Sequence, residues 1–510
     1  MSVTLRFLDT PIARPDWPAL RPGGVAAGLT EAFLAVRGAI PRIEDLRSPD
    51  VLVVTTGQQP GLFTGPAYTI HKALSARALA ARLQARWQRP VVPVFWLAGD
   101  DHDLIEASHA AWPAPDGTLR HVRMPDRPPG SPLTPMYREP LAIEATDSLT
   151  QLDHDLEGTE FRAETIGWLA GHYRNGATVA GAYAGALAEL LAPLGIVCFD
   201  PTHIVARRTM APLLVRAASD SRSIDAALAR RAIELRGMDR DPGVVVGEGA
   251  TLVMLEAQEG RDRLIVAPGG YVTRRSGEAV SEQQLGLIAA EQPERLSPNV
   301  LLRPVVESAL LPTVAYVGGP GELRYLALTE PIYAALGIHR QRPVPRWSGI
   351  VIEPFVDRLL PKLALSVDDI LTNGATVETL LARRQFPPEV LDTLKALRDN
   401  VDSAYEVLAR LAPAVDPTLV RAMQGLRGRS VFAAEQAERK LIRAFKRKGS
   451  DELRQLRRLR VALHPDDAPQ ERVLTVAPWL ARYGPGFLPA LADAVDRWYD
   501  TALEPAPSAR

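Results

Sequence analysis

Cysteine is nearly absent from this 510-residue sequence, Cys198 being the only one. A single thiol excludes a disulfide framework, a cysteine-ligated zinc site and an iron–sulfur cluster. It lies in Leu194-Gly195-Ile196-Val197-Cys198-Phe199-Asp200, an apolar run that reads as a buried strand, so a core thiol is expected rather than a nucleophile. An excess of one charge is lacking too. The 59 Lys and Arg offset 60 Asp and Glu, for a formal net charge of −1, which gives no global reason to expect a nucleic-acid or membrane-surface partner. No stretch approaches the roughly 18–20 apolar residues that span a bilayer. Met1-Ser2-Val3-Thr4-Leu5-Arg6 has no basic region leading into an apolar segment, so a signal peptide is not expected and a cytoplasmic location is. Internal repeats and low-complexity tracts are missing.

What is present is ordinary globular material, 46% apolar and 23% charged, long enough for about three domains at roughly 150 residues each. The first two thirds alternate short β-branched runs with helical patterns, which predicts an α/β core. Val51–Thr55 reads as a strand, a loop rich in glycine and proline follows, and a helix is predicted from about Ala67 to Trp87, with Ile70, Leu74, Leu79, Leu83 and Trp87 on one face. Val91–Leu97 is the next strand. Such a strand–helix–strand series marks a parallel crossover unit. Residues 110–150 are proline-rich and read as an irregular insertion. A strand at 194–199 and a single helix at about 203–235 follow, then a small antiparallel insertion with strands at Val244–Val246 and Leu264–Val266. Thr313–Val317 is again strand-like. Beyond about residue 365, Val390, Leu394, Leu397, Val401, Ala404, Leu408 and Leu411 alternate four and three apart, the seam of a coiled coil. Further helices are predicted at about 417–448 and 451–462, and the seam closes either within one chain or between two.

Ligands of open parallel sheets bind beyond the carboxyl ends of the strands, and three loops occupy such positions. The first runs from Gly57 to Lys72. Its glycines let backbone amides approach an anion, and the helix that follows offers a positive end. Lysine is scarce: of six in the chain, Lys72 is the only one before Lys362. A sequence that otherwise uses arginine keeps an ammonium there, next to His71. The second loop packs Asp100, Asp101, His102 and Asp103 together, with Glu106 and His109 downstream. Such a set can bind a metal, act as general base, or hold an amine; alternatively one Asp caps the next helix. The third, Gly318-Gly319-Pro320-Gly321-Glu322, suits a phosphate or carboxylate cradle or a plain tight turn. Upstream of it, Asn299 and Arg303 supply polar groups, and Arg303 is placed to clamp a carboxylate or to form an ordinary salt bridge. The basic run of the helical region, Lys440 to Arg460, lacks interleaved aromatics and reads as a solvated face.

Together these stretches resemble the bacillithiol biosynthesis cysteine-adding enzymes, the BshC family of cysteine ligases. The resemblance rests on Thr56–Lys72 (TGQQPGLFTGPAYTIHK), Val94–Asp103 (VFWLAGDDHD), Asn299–Pro304, Leu310–Glu322 (LLPTVAYVGGPGE), Gln470–Leu474 and Tyr483-Gly484-Pro485. It covers nearly the whole chain in order. Where the family often has Glu, this chain has the shorter Asp100. Gly65–His71 is also similar to the class I aminoacyl-tRNA synthetase signature G-P-x-H-I-G-H, with Tyr68 in place of the first histidine and His71 in place of the second. The similarity of Lys446-Arg447-Lys448-Gly449-Ser450 to the second signature of those enzymes is read as coincidence.

The resemblance implies an α/β, Rossmann-like parallel-sheet core of the class I synthetase and nucleotidyltransferase kind, over residues 1–364, with connecting-peptide insertions near 104–180 and 238–296. It further implies a coiled-coil arm at 365–463 that mediates homodimerisation, with 464–510 packing back on the core. The implied reaction joins L-cysteine to glucosaminyl-malate. A carboxylate does not acylate an amine until its oxygen becomes a leaving group, so ATP with Mg2+ is the expected activating substrate, by way of an acyl-adenylate or an acyl-phosphate. No resident metal or redox cofactor is expected. In this reading His71 and Lys72 stabilise the activating group, and Asp101, His102 or Asp103 orients and deprotonates the amine. Gly57, Gln58, Gln59, Thr64, Gly65, Tyr68, Asp100, Asn299, Arg303, Gly318, Gly319, Gly321 and Glu322 line the substrates. Two other readings compete: a metal-dependent hydrolase built on Asp100, Asp101, His102 and His109, and a coiled-coil interaction protein with a degenerate core.

Overall fold

The computed structural model describes residues 4–7, 17, 19–247, 249–448 and 450–503. Met1–Val3, Gly449 and the side chains of 445–450 lie outside the description, and with them the start of the chain and the Lys446–Ser450 motif. Two compact units emerge among the described residues, one of residues 113–119 and 351–470, the other of residues 19–112, 120–350 and 471–503.

The larger unit is built on β1 (Leu52–Gln58), α1 (Tyr68–Trp87) and β2 (Val91–Leu97). Its chain continues through α2 (Leu104–Ala107), a run of helices, β3 (Val197–Phe199), α3 (Ile204–Ser219) and α4 (Ser221–Gly237). Then come β4 (Ala250–Ala257), β5 (Gly260–Ala267), β6 (Gly270–Thr273), β7 (Ala279–Ser281), α5 (Glu282–Glu291) and β8 (Leu296–Pro298). The chain returns to the core through α6 (Arg303–Leu310), β9 (Thr313–Gly318), α7 (Pro320–Leu326) and β10 (Arg342–Pro345). Five parallel strands in the order β10-β9-β1-β2-β3 form the central sheet, and β7-β6-β5-β4-β8 form an antiparallel one. Strands buried on both faces read as continuous apolar runs, which is why Val51–Val54 and Val91–Leu97 stand out in the sequence; every residue of β2 is buried. Cys198 is buried in β3, the last strand of the sheet next to β2, and burial pushes its thiol pKa up.

Four expectations need correction. Helix α1 is buried on more than one face, because the C-terminal helix α11 (Phe487–Leu503) packs along it, with Arg77 pairing to Asp496 at 2.8 Å. The single helix expected at 203–235 is two, broken at Asp220, whose carbonyl accepts the Ser223 amide and hydroxyl; Ser and Asp compete for backbone bonds in this way. Val244–Val246 forms no strand: Asp225 of α4 accepts the amides of Gly247 and Gly249 at 2.9 and 3.0 Å and diverts the segment. Residues 110–150 are less irregular than expected, holding a hairpin (His109–Pro113 with Leu119–Arg123) and the start of a helix at Ile143–Asp155.

The smaller unit is helical. Its longest elements are α8 (Pro388–Leu411) and α9 (Leu419–Lys448), which pack against each other, followed by α10 (Ser450–Leu463). Joined only through residues 412–418, α8 and α9 fold back as a hairpin, as short connections require. The two helices meet through Asp402 and Tyr405 of α8, which bond Arg427 and Ser430 of α9, while Leu397, Leu408 and Leu411 of the Val390–Leu411 seam stay exposed. Among the described residues, no helix is long and apolar enough to cross a membrane.

Candidate functional site

A cleft of about 360 Å³ opens beyond the carboxyl ends of β1, β2 and β9, where a doubly wound sheet places its ligands. At its foot stands Lys72, whose side chain is 1% exposed. Its ammonium donates to the Gly57 carbonyl and to Gln58 Oε1 (3.1 Å), and pairs with Glu322 Oε2 at 2.7 Å. Burial lowers the Lys72 pKa, against the pull of Glu322. Glu322 is saturated: Oε2 also accepts the Gly319 amide at 2.8 Å, and Oε1 accepts the Tyr316 hydroxyl at 2.6 Å. Burial would raise its pKa, but Lys72 and these donors bring it down. The chain of contacts continues from Tyr316 to Arg303 (3.2 Å) and from Arg303 to the buried Glu307 (2.8 Å). Arg303 therefore makes a salt bridge while still facing the cleft.

The second loop meets the first directly, Gln59 Nε2 donating to Asp101 Oδ2. Asp101 Oδ1 accepts the amides of His102 and Asp103 at 2.6 and 3.2 Å. Burial opposes ionisation of Asp101, yet Arg261 and Gln59 hold its pKa below the usual value, so it stays a carboxylate. Arg261 arrives from β5, donates to Ser297 Oγ (2.9 Å) and the Pro298 carbonyl (2.7 Å), and lies 3.7 Å from Asp100. It also sits 3.2 Å from His102 Nδ1. A guanidinium only donates, so Nδ1 must accept and the ring carries its proton on Nε2. Burial and Arg261 lower the His102 pKa further.

The flagged residues divide accordingly. Gly57, Gln58, Gln59, Tyr68, Lys72, Asp100, Asp101, Asn299, Arg303, Gly319, Gly321 and Glu322 border the cleft. His102 lies behind it, bound to Arg261. Asp103 caps α2 by accepting the Glu106 amide at 3.2 Å, the alternative foreseen for one of the acids. Asn299 Oδ1 accepts the amides of Leu301 and Leu302 at 3.0 Å each. Thr64 is buried away from the cleft, its amide bonded to the Tyr173 hydroxyl at 2.9 Å, and Gly65 borders a smaller chamber next door. Gly318 sits in β9, its carbonyl taken by the Arg346 amide at 2.9 Å.

His71 does not line the cleft. Its side chain is 1% exposed, edge-on to Trp347 at 4.5 Å, with Nδ1 2.7 Å from Glu471 Oε2. Burial depresses its pKa even against that partner. The anion-friendly ends expected at two loops are also occupied. The Ala67 amide, at the start of α1, donates to the Leu474 carbonyl at 2.8 Å, and the Gly319 amide of the third loop goes to Glu322. Side chains, not free helix termini, make this site cationic.

Sequence reading missed Arg261, Arg346, Arg472 and Tyr325, which border the cleft together with Glu106, the acid noted downstream of the second loop. Arg346 directly follows β10, so the strand-end rule extended to that strand would have found it. Arg261 belongs to the antiparallel insertion and carries no local signal. Glu471, which joins His71 to Arg346 (2.5 Å) and Ser348 (2.7 Å), lies in a segment noted for resemblance but not for chemistry. Among the described residues, no three His, Cys, Asp or Glu side chains gather as a metal-ligand set, and His109 turns its Nδ1 to the Ile105 carbonyl at 3.1 Å; neither feature suits the metal-hydrolase reading.

Comparison with known proteins agrees with this architecture. Residues 29–347 match the family model for the BshC N-terminal Rossmann-like domain of bacillithiol biosynthesis, and residues 349–498 match that for the BshC C-terminal coiled-coil domain. A protein of Koribacter versatilis named "Putative cysteine ligase BshC" is 34% identical over 473 residues, covering 91% of this chain and 86% of that protein. Proteins of the same name from Heliobacterium modesticaldum (32% over 467 residues, 89% of this chain and 83% of that protein) and Geobacillus thermodenitrificans (28% over 476 residues, 90% and 85%) are similar over comparable lengths. By sequence along nearly its whole length, and by the Rossmann-like core that carries the cleft, the chain belongs to the BshC family of bacillithiol biosynthesis.

Proposed function

We propose that the cleft forms an amide bond between the carboxyl group of L-cysteine and the amine of glucosaminyl-malate, the last step of bacillithiol assembly. The observation that carries this reading is the buried ammonium of Lys72 beside the two strand-end loops, held within one cleft with the Asp100–Asp101 pair. ATP with Mg2+ suits a cleft bordered by Lys72, Arg303 and Arg346; the two arginines would hold its phosphates, and the fully engaged Lys72 ammonium would add its charge behind them. ATP supplies the chemistry that turns a carboxylate oxygen into a leaving group.

The chain's own residues do the rest. Lys72 and Arg346 stabilise negative charge as it develops on the leaving oxygen, preorganised because Glu322 and Glu471 already hold them in place. Asp101, kept ionised by Arg261 and Gln59, borders the same cleft and orients the sugar amine, with Asp100 beside it to take the proton. Glu322, with both oxygens engaged, is a positioning acid and not a free base. His71 acts at one remove, through Glu471 on Arg346.

Incubation with L-cysteine, glucosaminyl-malate and ATP, read by mass spectrometry, should show the thiol product and either AMP or ADP. Lys72→Met should lower kcat at least about 100-fold, the loss seen when one preorganised charge-stabilising donor is removed. Because that change leaves Glu322 unpaired, Lys72→Met/Glu322→Gln should recover thermal stability without recovering activity. Absence of product from the wild-type protein, or ligation by the Lys72 variant at wild-type rate, overturns the reading.

A further inference from the structure

Beside the main cleft lies a smaller chamber of about 200 Å³, below the roughly 300–1,000 Å³ of most small-molecule sites. Its wall is the Gly61–Gly65 turn, closed so tightly that a Cβ on Gly61 would stand 2.7 Å from the Gly65 Cα. The two spaces share Gln58, Gln59, Tyr68, Glu106 and Arg472, and Gln58 Nε2 bonds the Tyr68 hydroxyl at 2.9 Å between them.

Three features of the chamber have no partner among the described residues. The Glu106 carboxylate makes no hydrogen bond or ion pair among the described residues, and neither does the Arg472 guanidinium; both are exposed at the opening. Although opposite in charge and on the same rim, they are not paired with each other. Thr69, fully buried, borders the same chamber, and its buried hydroxyl has no partner among the described residues. Buried polar groups are seldom left unsatisfied, so a ligand atom is the natural mate for this one.

We infer that this chamber is the recognition site for a free α-amino acid with a small side chain, its ammonium on Glu106 and its carboxylate on Arg472. The side chain then enters beneath the glycine turn, within reach of the Thr69 hydroxyl. Because Glu106 and Arg472 also border the main cleft, the carboxylate is delivered at the junction, facing Lys72 and the incoming amine. The inference rests on the ligase reading for its substrate, cysteine, but not for the geometry of zwitterion capture. The tight turn explains selection by size: a long side chain would meet backbone that cannot yield.

Calorimetric titration of the full chain tests it, using L-cysteine, L-serine, 3-mercaptopropionate (which lacks the ammonium) and cysteamine (which lacks the carboxylate). Glu106→Gln should weaken L-cysteine about tenfold or more, as loss of a charge-assisted contact does, and leave 3-mercaptopropionate unchanged. Arg472→Gln should weaken L-cysteine similarly and leave cysteamine unchanged. Thr69→Val, which keeps shape and removes only the hydroxyl, should cost a smaller factor, about fivefold. Both charged positions are exposed, so their variants should melt within a few degrees of the wild type. Binding of L-cysteine unaffected by either charge change, or no amino acid binding at all, overturns the site. If L-serine binds with this dependence and L-cysteine does not, the chamber stands and the cysteine reading falls. If product forms but neither residue matters to cysteine binding, the ligase stands and the chamber falls.

Discussion

Glu471 accepts from four groups with two oxygens: Arg346 and Ser348 on Oε1, His71 and the Gly349 amide on Oε2. Burial favours its neutral form, but His71 and Arg346 outweigh that and hold its pKa well below the ordinary carboxylate value. A depressed carboxylate contributes stability that is complete above its unfolded value of about 4.5 and is lost as the pH falls through the folded one. His71, lowered from 6.5 by burial, is neutral when folded; the unfolded chain takes up its proton below that pH, so stability falls as acid is added. Both signs agree. Stability should decline from pH 7 to pH 5, by at most about 1.4 kcal/mol per pH unit for one proton. His71→Gln keeps a donor for Glu471 and cannot titrate, so its melting temperature should be flatter across that window; an identical slope would refute the assignment. At this scale the sequence pointed to Lys72 by scarcity and to the acids by clustering. It could not show that His71 faces Glu471, 400 residues away, or that Asp103 is spent as a cap.

The elements nearest the site were the most legible. Strand β1, helix α1 and strand β2 advertise themselves because buried parallel strands and a following helix have distinct periods. The connecting loop is another matter: Phe63 and Thr64 adopt φ of 52° and 70°, unusual for residues bearing a Cβ. Gly61 holds this turn together by letting the backbone at Gly65 approach. Gly61→Ala should therefore destabilise the protein by about 1–3 kcal/mol, the range for overpacking. Gly167, in a helix with open space around its would-be Cβ, should behave oppositely, Gly167→Ala gaining about 0.5–1 kcal/mol. Urea midpoints of the two variants decide it, and an unchanged midpoint for Gly61→Ala would mean that the turn relaxes. Val244–Val246 misled because β-branched residues fit strands locally, whereas Asp225 of a helix claims the neighbouring amides.

Seen as a whole molecule, the helical region presents apolar surface that its hairpin leaves uncovered. Leu397, Leu408 and Leu411 on α8, Val415 in the connection and Phe432 on α9 are 44%, 48%, 58%, 82% and 54% exposed. Neighbouring exposed apolar groups of this kind mark interaction surfaces, and the heptad seam to which Leu397, Leu408 and Leu411 belong suits a second copy of the same helix. We propose a homodimer through this region. Light scattering at micromolar concentration should give twice the chain mass, and Leu408→Glu with Leu411→Glu should give the monomer. A monomeric wild-type protein would defeat the proposal.

Local order in the sequence determined the parallel core, the helical C-terminal region and the three strand-end loops, because periodicity and glycine placement act over a few residues. Only the tertiary structure decided which side chains share the cleft. Arg261 comes from an inserted sheet, Arg346 from just after the last core strand, and Arg472 from the segment beyond the helical region, whose Glu471 holds Arg346 in place from behind. Charges that meet across hundreds of residues leave no periodic trace, and whether a histidine is catalytic or buried depends on what the rest of the chain packs against it.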